Sequence, residues 1–374
     1  EEKEEKEKLQ EQSDEKIEPQ EKSKEEPPEG ISLLMEEENS TVVFEKETAD
    51  FEGAGTAESP YLIEDVDDLK LLAQKVNGNE AYAGKHFQLT ADIDLKNEEW
   101  TPIGKSGLPF RGTFDGGRHQ ITKLKISNGG QYAGLFGNVL GATIQNCNVT
   151  GEVNGPNCTG GIVGYANDNT HILNCSFQGD VEGTGPYVGG IAGYAGTTLA
   201  GCEVSGCFVT GKVEGSQRVG GIAGKGVGTI KNCYALADVT AAGVEAGGIA
   251  GNAYNCTIEN CYYSGNVSEG SSEGSSVGGI AGIALGGTIQ NCVSLAESVT
   301  GSNANRIAGY KDGETLTANY AWSDTKIKGN PVSADDGTGT NGINLTYTDG
   351  KLSPQFSEIF GNDSAWEFTK DGLP

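Results

Sequence analysis

The sequence predicts an all-β fold, a right-handed parallel β-helix whose coils of about 27–31 residues each contain three short strands. The string VGGIAG or a close variant recurs at 188–193, 219–224, 246–251 and 277–282, and blocks of the type TIQNC recur between these copies. No helical pattern runs through this region. A period near 30 residues is typical of solenoids, in which each coil buries its apolar face against its neighbours. The right-handed sense follows from the crossover preference of parallel strands.

The first element along the chain is an acidic tail, residues 1–50. It holds 19 acidic and 7 basic residues and is rich in Glu, Lys, Gln and Pro. Such a composition buries too little apolar surface to offset the entropy of ordering. We expect a disordered linker or stalk.

One amphipathic helix is predicted after the tail. Apolar residues at helical spacing occupy the stretch from Val66 to Val76, and Asp65 is placed to cap it. Short alternating segments broken by Gly and Asp follow. We therefore expect the helix to cap the N-terminal end of a β-helix that covers residues 51–330.

The repeats, at about 132–310, are marked by glycine, asparagine and cysteine. The final glycines of successive copies lie 27, 29, 31, 27, 31 and 27 residues apart, from Gly137 to Gly309. Glycine fits where backbones turn sharply or approach closely. An Asn precedes the Cys in most copies, at Asn146, Asn174, Asn232, Asn260 and Asn291, and Gly206 replaces it in the third copy. Asn and Gly tolerate the left-handed conformation, so we expect a stacked row whose amides bond coil to coil.

Several motifs together resemble those of bacterial surface proteins with GLUG repeats. They are GTAESPYLI, LTADIDL, the Trp100–Gly104 and Phe110–Gly116 segments, and the GGIxG and TIxNC repeats, over roughly residues 53–320. The resemblance implies a right-handed parallel β-helix, an extracellular or bacterial cell-surface location, and an adhesin-like role. Such repeats also accompany immunoglobulin A peptidases, whose chemistry belongs to a separate zinc domain.

Charge and hydropathy exclude two classes of partner. The formal net charge is -27 and the chain contains only four Arg, whereas nucleic-acid surfaces need clustered basic residues. No apolar run is long enough to span a bilayer. We expect neither nucleic-acid binding nor membrane insertion.

Six cysteines share one repeat position: Cys147, Cys175, Cys207, Cys233, Cys261 and Cys292. Their spacing is not that of a zinc ribbon, and side chains stacked in parallel fit a disulfide poorly. We expect a column of buried, reduced thiols. The odd total of nine Cys argues against a complete disulfide framework.

No residue pattern predicts catalysis, a metal site or a cofactor. The three His, at positions 86, 119 and 171, have no metal-ligand spacing. Glu152, Asp180, Lys212, Asp238 and Asn266 share one repeat position. A calcium site or a carboxylate-pair hydrolase site is one interpretation of that column, and a solvated face is the favoured one.

Aromatic residues follow the Cys in three consecutive copies, at Phe208, Tyr234 and Tyr262. If Cys faces the core, these rings point outward as a stacked row, and they are the candidate binding residues. The competing interpretation is stacking that only stabilises the solenoid. We expect the triple alanine variant to lose binding and to change little in stability.

Residues 331–374 lack the repeat and are expected to form a C-terminal capping segment, with Trp366 and Phe368 covering the last coil. We expect a non-enzymatic surface or secreted scaffold that binds host protein or glycan, and further domains of the same polypeptide are candidate partners. Two alternatives are a polysaccharide-degrading β-helix, either lyase or hydrolase, and an accessory region of a larger surface peptidase.

Overall fold

Parallel strands stack coil upon coil into a β-solenoid of about nine turns. The structure, a computed structural model, describes residues 51–270, 274–328, 330–348, 351–361 and 366. The predicted disordered tail lies outside these residues. Within them the fold class predicted from the repeat period is confirmed.

Three sheets form the faces of the solenoid, and we number them 1 to 3. Sheet 1 contains the strands Tyr61–Ile63, His86–Leu89, Thr113–Asp115, Phe136–Leu140, Thr143–Gln145, Val163–Asn167, His171–Leu173, Ala192–Ala195, Cys202–Ser205, Ala223–Lys231, Ala250–Glu259, Ala281–Gln290, Ala308–Asp312 and Thr315–Thr317.

Sheet 2 contains the strands Ile93–Asp94, Gln120–Ile126, Asn148–Gly155, Ser176–Gly183, Phe208–Gly215, Tyr234–Ala241, Tyr262–Ser264, Asn266–Glu269, Val293–Ser294, Ser298–Thr300, Tyr320–Trp322, Lys326–Ile327, Asn330–Pro331, Ile343–Thr348 and Lys351–Ser353. Sheet 3 contains the strands Tyr132–Ala133, Cys158–Gly160, Tyr187–Gly189, Arg218–Gly220, Glu245–Gly247, Ser276–Gly278 and Asn303–Asn305.

Pairing between coils is residue for residue. The eight residues of Ser176–Gly183 pair in order with those of Phe208–Gly215 on the next coil. A side chain therefore meets the same repeat position above and below it, at about the 4.8 Å spacing of neighbouring strands. Each repeat position becomes a column along the solenoid.

The first helix, α1 (Val66–Asn77), forms where the apolar spacing predicts it. Asp65 accepts hydrogen bonds from the backbone N–H groups of Asp67 and Asp68, and the capping prediction is confirmed. The apolar face of α1, from Leu69 to Val76, is buried in the same core as the coils. This helix belongs to the N-terminal part of the solenoid.

Paired glycines let sheet 3 pack directly against sheet 1. A Cβ atom at Gly189 would lie 2.2 Å from the carbonyl oxygen of Ala192 and 2.7 Å from Gly224 N on the next coil. At Gly190 it would lie 2.6 Å from both methyl carbons of Val209, across the interior. Backbone touches backbone here, and this contact explains why the GGIxG string recurs in each coil. We call this region the glycine wedge.

A buried arginine lies near the C-terminal end of the solenoid. Arg306 stands where earlier copies have the second glycine of the pair, and its side chain is fully buried. Its guanidinium donates hydrogen bonds to Trp322 O, Gly342 O and Asn344 Oδ1. Parallel stacking then continues past residue 330, because Ile343–Thr348 pairs with Tyr320–Trp322.

The structure places Trp366 differently from the predicted C-terminal cap. Trp366 packs against the side of the solenoid, on Tyr234 and Tyr262, instead of over the last coil. Phe368 lies outside the described residues. The second helix, α2 (Phe356–Ile359), packs on the same side.

Candidate functional site

The six-cysteine column lies in the core of the solenoid. All nine cysteines carry free thiols and are buried. Thiols of the column donate to the carbonyl oxygen two residues earlier, as in Cys233 Sγ to Lys231 O at 3.1 Å and Cys261 Sγ to Glu259 O at 3.2 Å. Burial raises the pKa of Cys175, Cys233 and Cys261 well above the usual thiol value. Burial therefore keeps the thiols of Cys175, Cys233 and Cys261 neutral.

The asparagine row adopts the expected backbone conformation. Asn146, Asn174, Asn232, Asn260 and Asn291 have φ between 51° and 55°, and Gly206 has φ of 65°. Asn174 Nδ2 donates to Asn146 Oδ1 at 3.4 Å, and Asn146 Nδ2 donates to Asp115 Oδ1 at 2.9 Å. The predicted amide bond between coils is present there, and Gly206 interrupts the row in the following coil. Beyond Gly206 the prediction of a continuous row is wrong, because Asn232 Oδ1 is buried and accepts no hydrogen bond.

The charged column is in register on sheet 2 and faces solvent. Asp180 pairs with Glu152 on one neighbouring coil and with Lys212 on the other, and Lys212 forms an ion pair with Glu214 at 2.6 Å. Asn266 N donates to Asp238 Oδ1 at 2.9 Å. Among the described residues, no group of three or more His, Cys, Asp or Glu is arranged to hold a metal ion.

The three candidate binding residues form one stacked row on sheet 2, which we call the ladder. The ring centroids of Phe208 and Tyr234 are 4.9 Å apart with planes at 2°, and those of Tyr234 and Tyr262 are 5.0 Å apart with planes at 4°. The rings share an outer face, because each follows a core-facing Cys. Parallel stacking covers the faces between the rings.

The expectation that all three ladder rings are exposed is wrong for Tyr262. Only 7% of this residue is exposed. Phe356 meets its ring edge-to-face at 5.5 Å, and the Trp366 ring lies 5.6 Å away. Val293, Leu345, Ile359 and Phe360 complete this second apolar cluster, which is separate from the main core. The C-terminal segment of the chain covers this end of the ladder. The repeat pattern does not predict this contact.

A second aromatic row lies along the glycine wedge, and sequence reasoning missed it. We call it the tyrosine seam; it consists of the half-buried residues Tyr132, Tyr165, Tyr187, Tyr194, Arg218, Lys225 and Tyr254. The centroids of Tyr132 and Tyr165 are 4.9 Å apart, and those of Tyr165 and Tyr194 are 5.1 Å apart. Tyr187 meets Tyr194 edge-to-face at 4.8 Å. The sequence contains a signal for this row, because Tyr165 and Tyr194 both directly follow the last glycine of a GGIxG copy.

The wedge explains why these side chains meet. Tyr187 precedes a glycine pair and Tyr194 follows it, so the tight backbone contact brings both columns together outside the core. The ammonium of Lys225 lies 5.0 Å from the centroid of Tyr194 and 5.5 Å from that of Tyr254. Arg218 lies over Tyr187 at 5.4 Å and pairs with Glu245 at 3.2 Å. Two cations therefore lie among stacked phenol rings.

Burial also affects the titrating groups of the seam. It raises the pKa of Tyr165 to about 12, with smaller contributions from Tyr194 and Tyr132. It likewise raises the pKa of the neighbouring Cys158 thiol to about 12. The phenol and the thiol are therefore neutral at physiological pH, and the charge of the seam comes from Arg218, Lys225 and Glu245.

Comparison with known protein families confirms the predicted repeats. The GLUG motif is matched at residues 155–182, 184–214, 215–240 and 242–268. The chain therefore carries GLUG repeats through the middle of the solenoid, including the ladder and most of the seam.

Among the proteins similar to this chain are two curated relatives and a protein of solved structure. Halomucin of Haloquadratum walsbyi is 30% identical over 336 residues, which is 87% of this chain and 3% of halomucin. A protein of Evansella cellulosilytica named provisionally as a Gly-rich membrane protein is 38% identical over 109 residues, or 27% of this chain and 12% of that protein. The chain spans only a small part of either relative.

The solved structure is that of a Bacteroides ovatus protein named provisionally as an immunoglobulin A1 protease. It superimposes with a TM-score of 0.57 at 23% identity, covering 78% of this chain and 84% of that one. This likeness shows a shared fold.

Proposed function

We propose that this chain is a non-enzymatic scaffold at the bacterial cell surface or outside the cell, and that its outer face binds a host protein or glycan. The GLUG repeats and the names of the relatives, a halomucin and a Gly-rich membrane protein, support the surface location. No helix among the described residues is long and apolar enough to cross a membrane. The scaffold role rests on the rigid, in-register coils, which hold outer side chains at fixed spacing.

The tyrosine seam is the observation that supports binding. It presents five half-buried tyrosines and two cations on one face of the solenoid. Aromatic residues and Arg are enriched where proteins contact partners, because rigid rings supply contact area at low cost in side-chain entropy. None of the seam tyrosines belongs to either apolar cluster of the described residues, whereas Tyr262 of the ladder is packed in one.

A direct binding measurement tests the proposal. The full chain, immobilised at one terminus, is exposed to a panel of purified extracellular host proteins and to a glycan array, and association is recorded by interferometry. Saturable binding to at least one member, lost when the chain is heat-unfolded, is expected. Failure to bind any member of either panel would contradict the scaffold role.

A specific cleft supports polysaccharide cleavage as a second candidate. Glu297, Asp324, Lys326 and Trp322 line a cleft of about 590 Å³ on sheet 2. Two carboxyl groups beside a cation and an indole ring form a set that glycoside chemistry can use. Incubation with acidic and neutral polysaccharides would then release new reducing ends or unsaturated products, and Glu297→Gln and Asp324→Asn would abolish the release. If no product forms with the parent chain, this candidate is excluded for the panel tested.

A further inference from the structure

We propose that the tyrosine seam binds a protein segment, and that Lys225 receives an Asp or Glu carboxylate of that segment. This inference rests on the proposed scaffold function, because it names the class of partner and the contact for the same outer face. Three features of the seam carry it: the covered ring faces, the exposed ring rims and an ammonium group without a carboxylate.

The ring faces of the seam are already occupied. Tyr194 has Tyr165 stacked at 5.1 Å and the Lys225 ammonium over its ring at 5.0 Å. Tyr165 in turn is stacked between Tyr132 and Tyr194. A sugar ring recognised by stacking needs an open aromatic face, and the middle of the row offers none. Neutral glycans that bind by stacking are therefore poor ligands for this surface.

The seam instead presents ring rims and phenol groups. A rim is apolar, the hydroxyl group can donate and accept hydrogen bonds, and the stack holds both rigidly. Protein-binding surfaces rich in Tyr use this combination, since a prepositioned ring loses little entropy on binding. The shape and chemistry of the seam thus fit an irregular polypeptide surface.

Lys225 supplies the directional contact. It is half-buried between two rings, and no carboxylate of the described residues forms an ion pair with it. By contrast, Arg218 has Glu245 as a partner, and Asn252 Nδ2 also donates to that carboxylate at 2.8 Å. A carboxylate brought to Lys225 gains a charge-assisted hydrogen bond in a partly desolvated place.

The charge of the whole chain restricts the source of that carboxylate. At a formal net charge of -27, the protein repels polyanions such as uronate-rich or sulfated glycans. A protein segment with a single acidic residue amid apolar ones meets little of this repulsion, because salt screens charges beyond about 8 Å. The observations therefore favour a polypeptide partner.

A display library of random twelve-residue peptides provides a defined probe. Selection on the immobilised full chain is expected to enrich peptides that carry Asp or Glu beside aromatic or aliphatic residues. Replacing the acidic residue of an enriched peptide by its amide should weaken binding about 10-fold, the effect of losing one charge-assisted hydrogen bond. Lys225→Met, which keeps the apolar stem, should weaken binding by a similar factor. Lys225→Glu paired with a peptide in which Lys replaces the acid should restore it.

The matched control is Lys212→Met, the same change at an exposed lysine on sheet 2 that is paired with Glu214. It should leave peptide affinity unchanged. Tyr194→Phe removes one hydroxyl group and retains the stack, and should weaken binding about 3-fold through a lost hydrogen bond. Each variant should have the same melting temperature as the parent chain, which would show that its fold is intact.

Several outcomes would overturn the inference: no enriched peptide, equal binding by the Lys225→Met and parent chains, or no effect of amidating the acid. Binding of the parent to a glycan array that Lys225→Met abolishes would make the partner a glycan and would overturn it as well. In that case, and whenever the parent binds the panels through another face, the scaffold function stands. Only a parent chain that binds no protein, glycan or peptide contradicts both the scaffold function and the inference about Lys225.

Discussion

The ladder and the tyrosine seam are two rows of rings built by the same repeat, and they differ in what lies over them. Ladder rings are stacked 4.9 and 5.0 Å apart, and the seam rings Tyr132, Tyr165 and Tyr194 are stacked 4.9 and 5.1 Å apart. Phe356 and Trp366 cover the ladder at Tyr262, whereas the seam has cations against its rings. The spacing of the rings is therefore set by the coil repeat and is nearly the same in both rows. The side chains packed on the rings distinguish the ladder, a structural row, from the seam, a candidate binding row.

Gly189→Val should produce the largest effect, because it would break the wedge that brings the seam columns together. Its Cβ would lie 2.7 Å from backbone atoms Ala223 Cα and Gly224 N of the next coil, which cannot move independently. We expect a loss of more than about 4 kcal/mol in unfolding free energy, measured by urea denaturation. Gly130→Ala is the control, since a Cβ there has no neighbour within 4 Å. A stable Gly189→Val chain would contradict the close approach of sheets 1 and 3.

Tyr262→Ala should destabilise the protein by about 3 kcal/mol, since the ring is buried against Phe356 and Trp366. Phe208→Ala, at the half-buried and uncovered end of the same ladder, should cost about 1 kcal/mol. The initial expectation that removing all three rings changes stability little is thus revised. Equal losses for the two variants would mean that the C-terminal segment does not pack on Tyr262.

Alkaline pH should weaken the fold through the thiol beside the seam. The pKa of Cys158 is raised from 9.0 to about 12 by burial, so the folded state keeps a proton that the unfolded chain has lost. The contribution of this thiol to stability is then constant below pH 9 and falls as pH rises from 9 to 12, by about 1.4 kcal/mol per pH unit. Cys202 and Cys256, also raised to about 12, add the same slope. In the Cys158→Ala variant the urea midpoint should fall less steeply with pH, because the contribution of one thiol to the slope is removed. An unchanged slope would argue against burial of this thiol.

Asn232→Ala should have the smallest effect, about 1 kcal/mol, because alanine resists the left-handed backbone that Asn232 adopts with φ of 55°. Asn232→Gly should be within about 0.5 kcal/mol of the parent, since Gly206 fills the same repeat position in a neighbouring coil. Thermal melting compares the two variants. If Asn232→Gly melted at a lower temperature than Asn232→Ala, the side-chain amide would contribute more to stability than the backbone conformation does.

The sequence was sufficient for features that recur or that are local. The glycine period predicts the coils, Asp65 predicts the start of α1, and Asn before Cys predicts a left-handed residue. It was insufficient for contacts between residues distant along the chain. The cover of Tyr262 by Phe356 joins positions outside any repeat, and the end contacts of Arg306 depend on where Gly342 and Asn344 fold back. Exposure of a repeated ring depends on such contacts, which a periodic pattern does not encode.

Hydroxyl-radical footprinting of the native full chain, read residue by residue by mass spectrometry, tests the contrast between covered ladder and open seam most directly. Tyr165 and Tyr194 should be modified several times faster than Tyr262. In a Phe356→Ala, Trp366→Ala double variant that remains folded, Tyr262 should gain reactivity while the seam rates stay constant. Modification of Tyr262 as fast as Tyr194 in the native chain would contradict the covered ladder and with it the assignment of binding to the seam.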